Sequence, residues 1–333
     1  MMEEKTMICT LVTPMFSYGA YQIKHSEMRI TELKGIMRYT YRIISPCRSV
    51  QQLKEVEDEL FGGAAESNES SSKHASPLRM LIRDDSLIRG NSRLLMHKKE
   101  RNPQMECFVS GSFRILLRLN PHTSRVMQKR FPMVDLNWYE DLIELSLTLC
   151  GLGKRSRKGR GSVAVMDRCF DDKQKILEWI LSKLNQFASI CPDTNTIGAN
   201  DNKKYYIAED DKIYSIFNAQ GYNRPVIQAI YLGKRIEETQ VREYLRAVDK
   251  TCHDEKGRSS SEGDKFVTGG SYGKRFASSL LLSFIKTVEG IYPLYTFITP
   301  VCRDIKIERD KRVREQFIQK VETEANMRVR HNR

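Results

Sequence analysis

An α+β fold organised around a βαββαβ unit is predicted for the N-terminal half of this sequence, on three observations. Strand-like and helix-like runs alternate between residues 6 and 167 in the order strand, helix, strand, strand, helix, strand. The first helical run carries apolar residues at three- and four-residue spacings, the period of a helix with one buried face. The last strand is a short β-branched run, "SVAVMD", entered through the glycine-rich basic stretch "GLGKRSRKGRGSV" from Gly151 to Val163. That order is the ferredoxin-like split unit, which RNA-recognition domains also use.

Each element has its own signal. The extended apolar stretch "TMICTLVTP" opens the chain and stops at Pro14. In "ELKGIMRYTYRII", Leu33, Ile36, Met37, Tyr41 and Ile44 share a helical face, and the run ends before Pro46. Lys34, Arg38 and Arg42, spaced i, i+4, i+8, make a basic stripe on its other side. A short amphipathic segment, "VQQLKEVEDELFGG", closes on paired glycines. Residues 62–76 follow without a large apolar side chain and are expected to form an inserted, disordered surface loop. "PLRMLIRD" and "SFRILLRLN" read as strands, and Asp135 caps an apolar helix, "LNWYEDLIELSLTLC".

The second half is expected to form another α+β domain on the same plan. It holds a helix in "DDKQKILEWILSKLNQFASI", strands in "KKYYIAEDDKIYSIF", "PVIQAIYLG", "FASSLLLSFIKTV" and "IYPLYTFIT", and a helix near Glu237 to Ala247. A flexible loop is expected over residues 251–265, and a charged helix from about Asp304 to Met327 before a frayed basic tail. A chain of 333 residues is long for one core and suits two domains, here 1–167 and 168–333.

Charge narrows the partner. Fifty-five Lys and Arg against 42 Asp and Glu leave a net +13 with a pI near 9.3, which points to a polyanion such as nucleic acid. No apolar run approaches the roughly 20 residues of a membrane span, and the N-terminus is acidic where a signal peptide is basic, so a cytosolic location without a membrane partner is expected. The eight cysteines form no Cys-x-x-Cys pair and the six histidines supply no metal-ligand spacing, so reduced structural thiols are expected, with neither metal nor cofactor.

The glycine-rich stretch is the main candidate site. Successive backbone N–H groups freed by Gly151, Gly153, Gly159 and Gly161 can converge on an anion, and Lys154, Arg155, Arg157, Lys158 and Arg160 add charge-assisted contacts to phosphate. The stretch follows a helix and opens a strand, the reverse of a P-loop or dinucleotide fingerprint. A clamp on a nucleic-acid backbone fits that context. A basic connector whose glycines only cap the preceding helix also fits it, and the stripe on the first helix favours the clamp.

Five stretches in order, "TPMFSYGA", "ELKGIMRYTYRII", "EVEDELFGG", "GLGKRSRKGRGSV" and "YGKRFASSLLLSF", resemble the first-subunit family of the Cmr complex, RAMP-superfamily proteins of type III-B CRISPR effector modules. The resemblance covers nearly the whole chain. It departs at Glu32, where that family usually has a small or hydroxyl residue, and at Thr40, within a usually denser aromatic run. The resemblance implies two ferredoxin-like domains of RAMP type in a non-catalytic subunit. Such a subunit holds the 3′ region of the CRISPR guide RNA, helps target RNA bind, and has other RAMP subunits as partners.

For chemistry, a metal-independent ribonuclease needs a base near the ribose 2′-OH. His25, in the loop after the first strand, is the candidate under that alternative, a RAMP endoribonuclease that processes CRISPR RNA precursor. The carboxylate groups at 83–85 and 209–211 read first as polar turns, and the pairs Tyr39/Tyr41 and Tyr205/Tyr206 as packing or stacking residues.

Overall fold

A computed structural model describes residues 3–19, 25–63, 75–84, 86–96, 103–166, 168, 170–190, 204–216, 222–258, 277–299 and 307–331. Most of the expected loop at 62–76 and the part of 251–265 beyond residue 258 lie outside these residues, as does the start of "YGKRFASSLLLSF".

In the first half, β1 (Glu4–Leu11) leads to α1 (Ile30–Ile44) and α2 (Val50–Phe61), then to β2 (Leu78–Asp84). A hairpin of β3 (Ile88–Arg93) and β4 (Gln104–Ser110) is inserted before β5 (Ser112–Leu119). Then come α3 (Pro121–Arg130), α4 (Leu136–Leu149), one 3₁₀ turn at Ser156–Lys158, and β6 (Val163–Val165). The sheet order is β2-β5-β1-β6 with every pair antiparallel. With the hairpin set aside this is strand order 2-3-1-4, that of the split βαββαβ unit.

Local chemistry accounts for these elements. Leu33, Met37, Tyr41 and Ile44 are the buried face of α1, as their spacing predicts. The Asp135 carboxylate accepts the Trp138 N–H at 2.8 Å and starts α4. Helix α3 was not expected, although Asn120 caps it and Pro121 occupies its first turn, both ordinary start signals.

The second half contains α5 (Lys173–Ala188), β7 (Tyr205–Ile207), β8 (Lys212–Ser215), β9 (Ile227–Leu232), α6 (Val241–Arg258), β10 (Leu280–Lys286), β11 (Ile291–Ile298) and α7 (Ile307–His331). Its sheet runs β10-β11-β9-β8-β7, again antiparallel. Strands β9, β10 and β11 with α6 and α7 follow the order β-α-β-β-α. The place of a fourth strand beside β9 is taken by β8, which precedes β9 in the chain. The simple βαββαβ order expected for this half is therefore altered at that position. Helix α6 also runs through residues 251–258, which were expected to be loop, and α7 continues to His331 through most of the expected tail.

One hydrophobic cluster joins the inner face of the first sheet, α1, α4 and α5 to one face of the second sheet, reaching Ile230, Leu281, Ile285 and Leu294. A second cluster lies on the other face of that sheet, under α6 and α7. The second sheet is thus covered on both sides, and the core runs across the expected boundary at 167/168.

Candidate nucleic-acid interface

The glycine-rich stretch is a tightly bonded junction. The backbone of Thr13–Tyr18, just after β1, threads through it: Gly161 N donates to Pro14 O at 3.0 Å, Lys154 N to Phe16 O at 2.9 Å, and Thr13 Oγ1 to Gly159 O at 2.8 Å. Gly161 has φ +66°, and a Cβ there would meet Leu152 O at 1.8 Å. Gly153 has φ +86° and sits against Phe16 O, so any larger residue would push the two segments apart. Gly151 backs onto Arg160 O, and Gly159 is covered by Phe284 and Leu245 of the second half. The glycines serve close packing between segments.

The basic residues divide sharply. Arg160 is fully buried and donates to Asp249 Oδ2 at 2.6 Å, while Arg155 reaches Asp249 Oδ1 at 2.6 Å. The Met96 N–H donates to the same carboxylate at 2.8 Å. Burial alone would raise the Asp249 carboxyl, but the guanidinium groups of Arg160 and Arg155 and the Met96 N–H outweigh it and hold it below its ordinary value. Lys158 is buried and donates to Ser278 Oγ at 3.0 Å. Arg157 donates to Ser278 O at 2.7 Å and to Tyr39 OH at 2.9 Å, with its guanidinium over the Tyr39 ring. Burial, partly offset by Arg157, pushes the Tyr39 phenol up to about 12. Of the five, only Lys154 is exposed. The expectation that Arg160 and Lys158 face phosphate is corrected here, because both point inward and join the two halves.

The helix stripe divides in the same way. Lys34 is exposed, whereas Arg38 and Arg42 both grip Glu57 of α2, whose side chain is only 3% exposed. Arg38 also donates to the carbonyls of Phe61 and Gly62. Two of the three stripe cations thus tie α1 to α2.

What remains open to solvent is a groove of about 480 Å³ bounded by Phe16–Tyr18, Arg29, Glu32 and Gly153–Lys154. Lys154 Nζ lies 4.7 Å from the centre of the Tyr18 ring, and Arg29 donates to Tyr18 O at 3.2 Å. Glu32 is inside the groove, where its carboxylate accepts the Gly153 N–H and the Ser17 hydroxyl, the latter at 2.8 Å. The backbone donor that a phosphate would seek is thus capped by the chain's own carboxylate. Sequence reasoning missed Arg29 and Tyr18, since neither belongs to a periodic pattern, although Tyr18 lies within the quoted "TPMFSYGA". It noted Glu32 only as a departure.

His25 is exposed, with Nδ1 3.9 Å from Glu106 Oε2. The neighbouring Ser26 bridges to Tyr18 at the edge of the groove. Asp84 accepts the Leu87 N–H at 3.0 Å, and residues 209–211 form the β7–β8 turn, in which Asp211 has φ 54°. Tyr41 and Tyr205 are buried, each bonded to a backbone carbonyl, while Tyr206 is exposed. Cys9, Cys47, Cys107, Cys150 and Cys252 are buried thiols outside any disulfide. Among the described residues no group of three or more His, Cys, Asp or Glu could hold a metal ion, and no helix is long and apolar enough to cross a membrane.

The split βαββαβ unit, its last strand entered through a glycine-rich basic loop, coincides with the stretch that matches the model of the RAMP superfamily, residues 8–164. Solved structures similar to the whole chain are narrower. Cmr1 from Pyrococcus furiosus, in its apo form, is 16% identical over 92% of this chain and 93% of that one, with a TM-score of 0.51. A chain of the type III-B Cmr-beta complex bound to cognate target RNA is 11% identical over 96% of this chain and 99% of that one, with a TM-score of 0.55. A chain of Cmr-beta bound to cognate target RNA and AMPPnP in the presence of ssDNA is 12% identical over 97% and 99%, with a TM-score of 0.51. At these identities the likeness is one of fold. No curated protein sequence matches the chain.

Proposed function

We propose that this protein is a non-catalytic RNA-binding subunit of a cytoplasmic type III-B CRISPR ribonucleoprotein, holding the 3′ region of the guide RNA and helping target RNA bind beside other RAMP subunits. The observation that carries the reading is the groove at the junction, where Lys154 and Arg29 remain at the surface around Tyr18 while the other loop cations are turned inward. Tyr18 is itself buried and anchors the two cations, so the groove suits the phosphates of a single strand and supplies no ring for a base. The fold likeness to chains of complexes that hold target RNA supports the same reading.

One contact favours a second reading, a metal-independent endoribonuclease: His25 stands beside Glu106 at the edge of the groove. Incubating the protein with labelled precursor RNA, with and without divalent metal, separates the two. RNA that is shifted but intact supports the binding subunit. Discrete cleavage that disappears in His25→Ala would establish the nuclease.

A further inference from the structure

The two sheets differ in cover. Strands β10 and β11 are buried along nearly their whole length, whereas the outward positions of β1, β2 and β5 have nothing packed over them among the described residues. On that open face Leu81 of β2 lies opposite Leu116 of β5, and Leu81 is 52% exposed. On β1, Thr6 lies opposite Leu116, and Ile8, 37% exposed, lies opposite Arg114 and diagonal to Leu116. A shallow depression of about 300 Å³ sits over the Leu81–Leu116 pair.

Arginines stand on both sides of this pair. Arg79 lies opposite Arg118 and Arg83 opposite Arg114, so two like-charge cross-strand pairs flank one apolar pair. Like charges placed directly opposite destabilise a sheet when nothing compensates them. Glu4, paired with Arg118, is the only acid at the outward positions of β1, β2 and β5, and Arg79 and Arg83 have no ion pair among the described residues. An anionic occupant would give Arg79 and Arg83 the counter-charges that the described residues do not. The outward positions also contain no aromatic residue, so an RNA strand would find charge but no ring on which to stack its bases. An apolar centre with a charged rim is instead the anatomy of a protein interface.

We infer that the open face of the first sheet docks a partner protein through a segment whose apolar centre covers Leu81 and Leu116 and whose flanking Asp or Glu side chains meet Arg79 and Arg83. This surface is separate from the groove, so the inference does not depend on the RNA reading.

The test places a photo-crosslinking amino acid at Leu81 in the full-length chain, expressed in its native host and purified with its assembly intact. The expected result is a crosslink mapped to a protein segment bearing apolar residues flanked by acids. Arg79→Glu with Arg83→Glu should cut that crosslink at least about tenfold through like-charge repulsion. Lys substitutions at the mapped acids should restore it. Affinity of the purified double variant for single-stranded RNA should stay at the parent value, which also shows that the variant is folded. Crosslinks only to RNA, only to a second copy of this chain, or to nothing in the intact assembly would overturn the inference, as would a crosslink that the charge reversal leaves unchanged.

Discussion

At the scale of single residues, Arg160 and Lys154 belong to the same run of charge and do opposite work. Arg160 is fully buried against Asp249, so Arg160→Ala should destabilise the fold by about 3 to 5 kcal/mol in a denaturant titration, the cost of leaving a buried carboxylate short of a partner. Lys154→Ala with Arg29→Ala should leave the denaturation midpoint nearly unchanged and weaken RNA binding. The slope of log affinity against log salt should then fall by roughly 1.4 if both residues contact phosphate. Asp249 also sets a pH dependence. Its carboxyl is held below the ordinary value in the folded state, so the unfolded chain takes up that proton more readily. The stability it supplies is complete above the ordinary carboxyl value of about 4 and is lost as pH falls through the depressed one. Asp249→Asn should flatten the acid limb of a plot of Tm against pH. An unchanged limb would show that other carboxylates govern it.

At the scale of elements, α1 is held to α2 by two arginines on one carboxylate. Glu57→Gln should cost about 1 to 2 kcal/mol, less than a fully buried pair because Arg42 is half exposed. Gly35 lies in the middle of α1 with open space where a Cβ would stand, so Gly35→Ala should raise stability by about 0.5 to 1 kcal/mol. If RNA affinity drops in the same variant, that face of α1 approaches RNA closely. Periodicity made α1, α4 and α5 legible, because a helix writes its buried face into neighbouring residues. It also exposed the Lys34–Arg38–Arg42 stripe. It could not show that Glu57 claims two of those cations, since that acid belongs to another helix. The same limit concealed the role of the glycine stretch: four glycines and five cations describe both a clamp and a junction, and Ser278 and Asp249, which decide between them, lie far along the chain.

At the scale of the molecule, the two sheets share one core, which sets the prospects for dissecting the chain. A fragment ending at residue 167 would lose the cover that Leu281, Ile285 and Leu294 give to the cluster shared with α4, and it should aggregate unless residues 168–333 are co-expressed. A monodisperse, cooperatively folding fragment would show instead that the first half stands alone. The βαββαβ chain order of the first half followed from the alternation of runs, whereas the substitution of β8 for a fourth strand in the second sheet did not, because hydrophobic pattern does not record which neighbour a strand selects. The Arg160–Asp249 bond spans 89 residues. At ribosomal rates of about 5 to 20 residues per second, Arg160 is incorporated roughly 4 to 18 s before its partner. Within that interval, once it has left the ribosome, the nascent chain presents the whole basic stretch to its surroundings, the ribosome's own RNA among them. Translation of Asp249 withdraws Arg160, so the newborn protein should hold nucleic acid less selectively than the finished one.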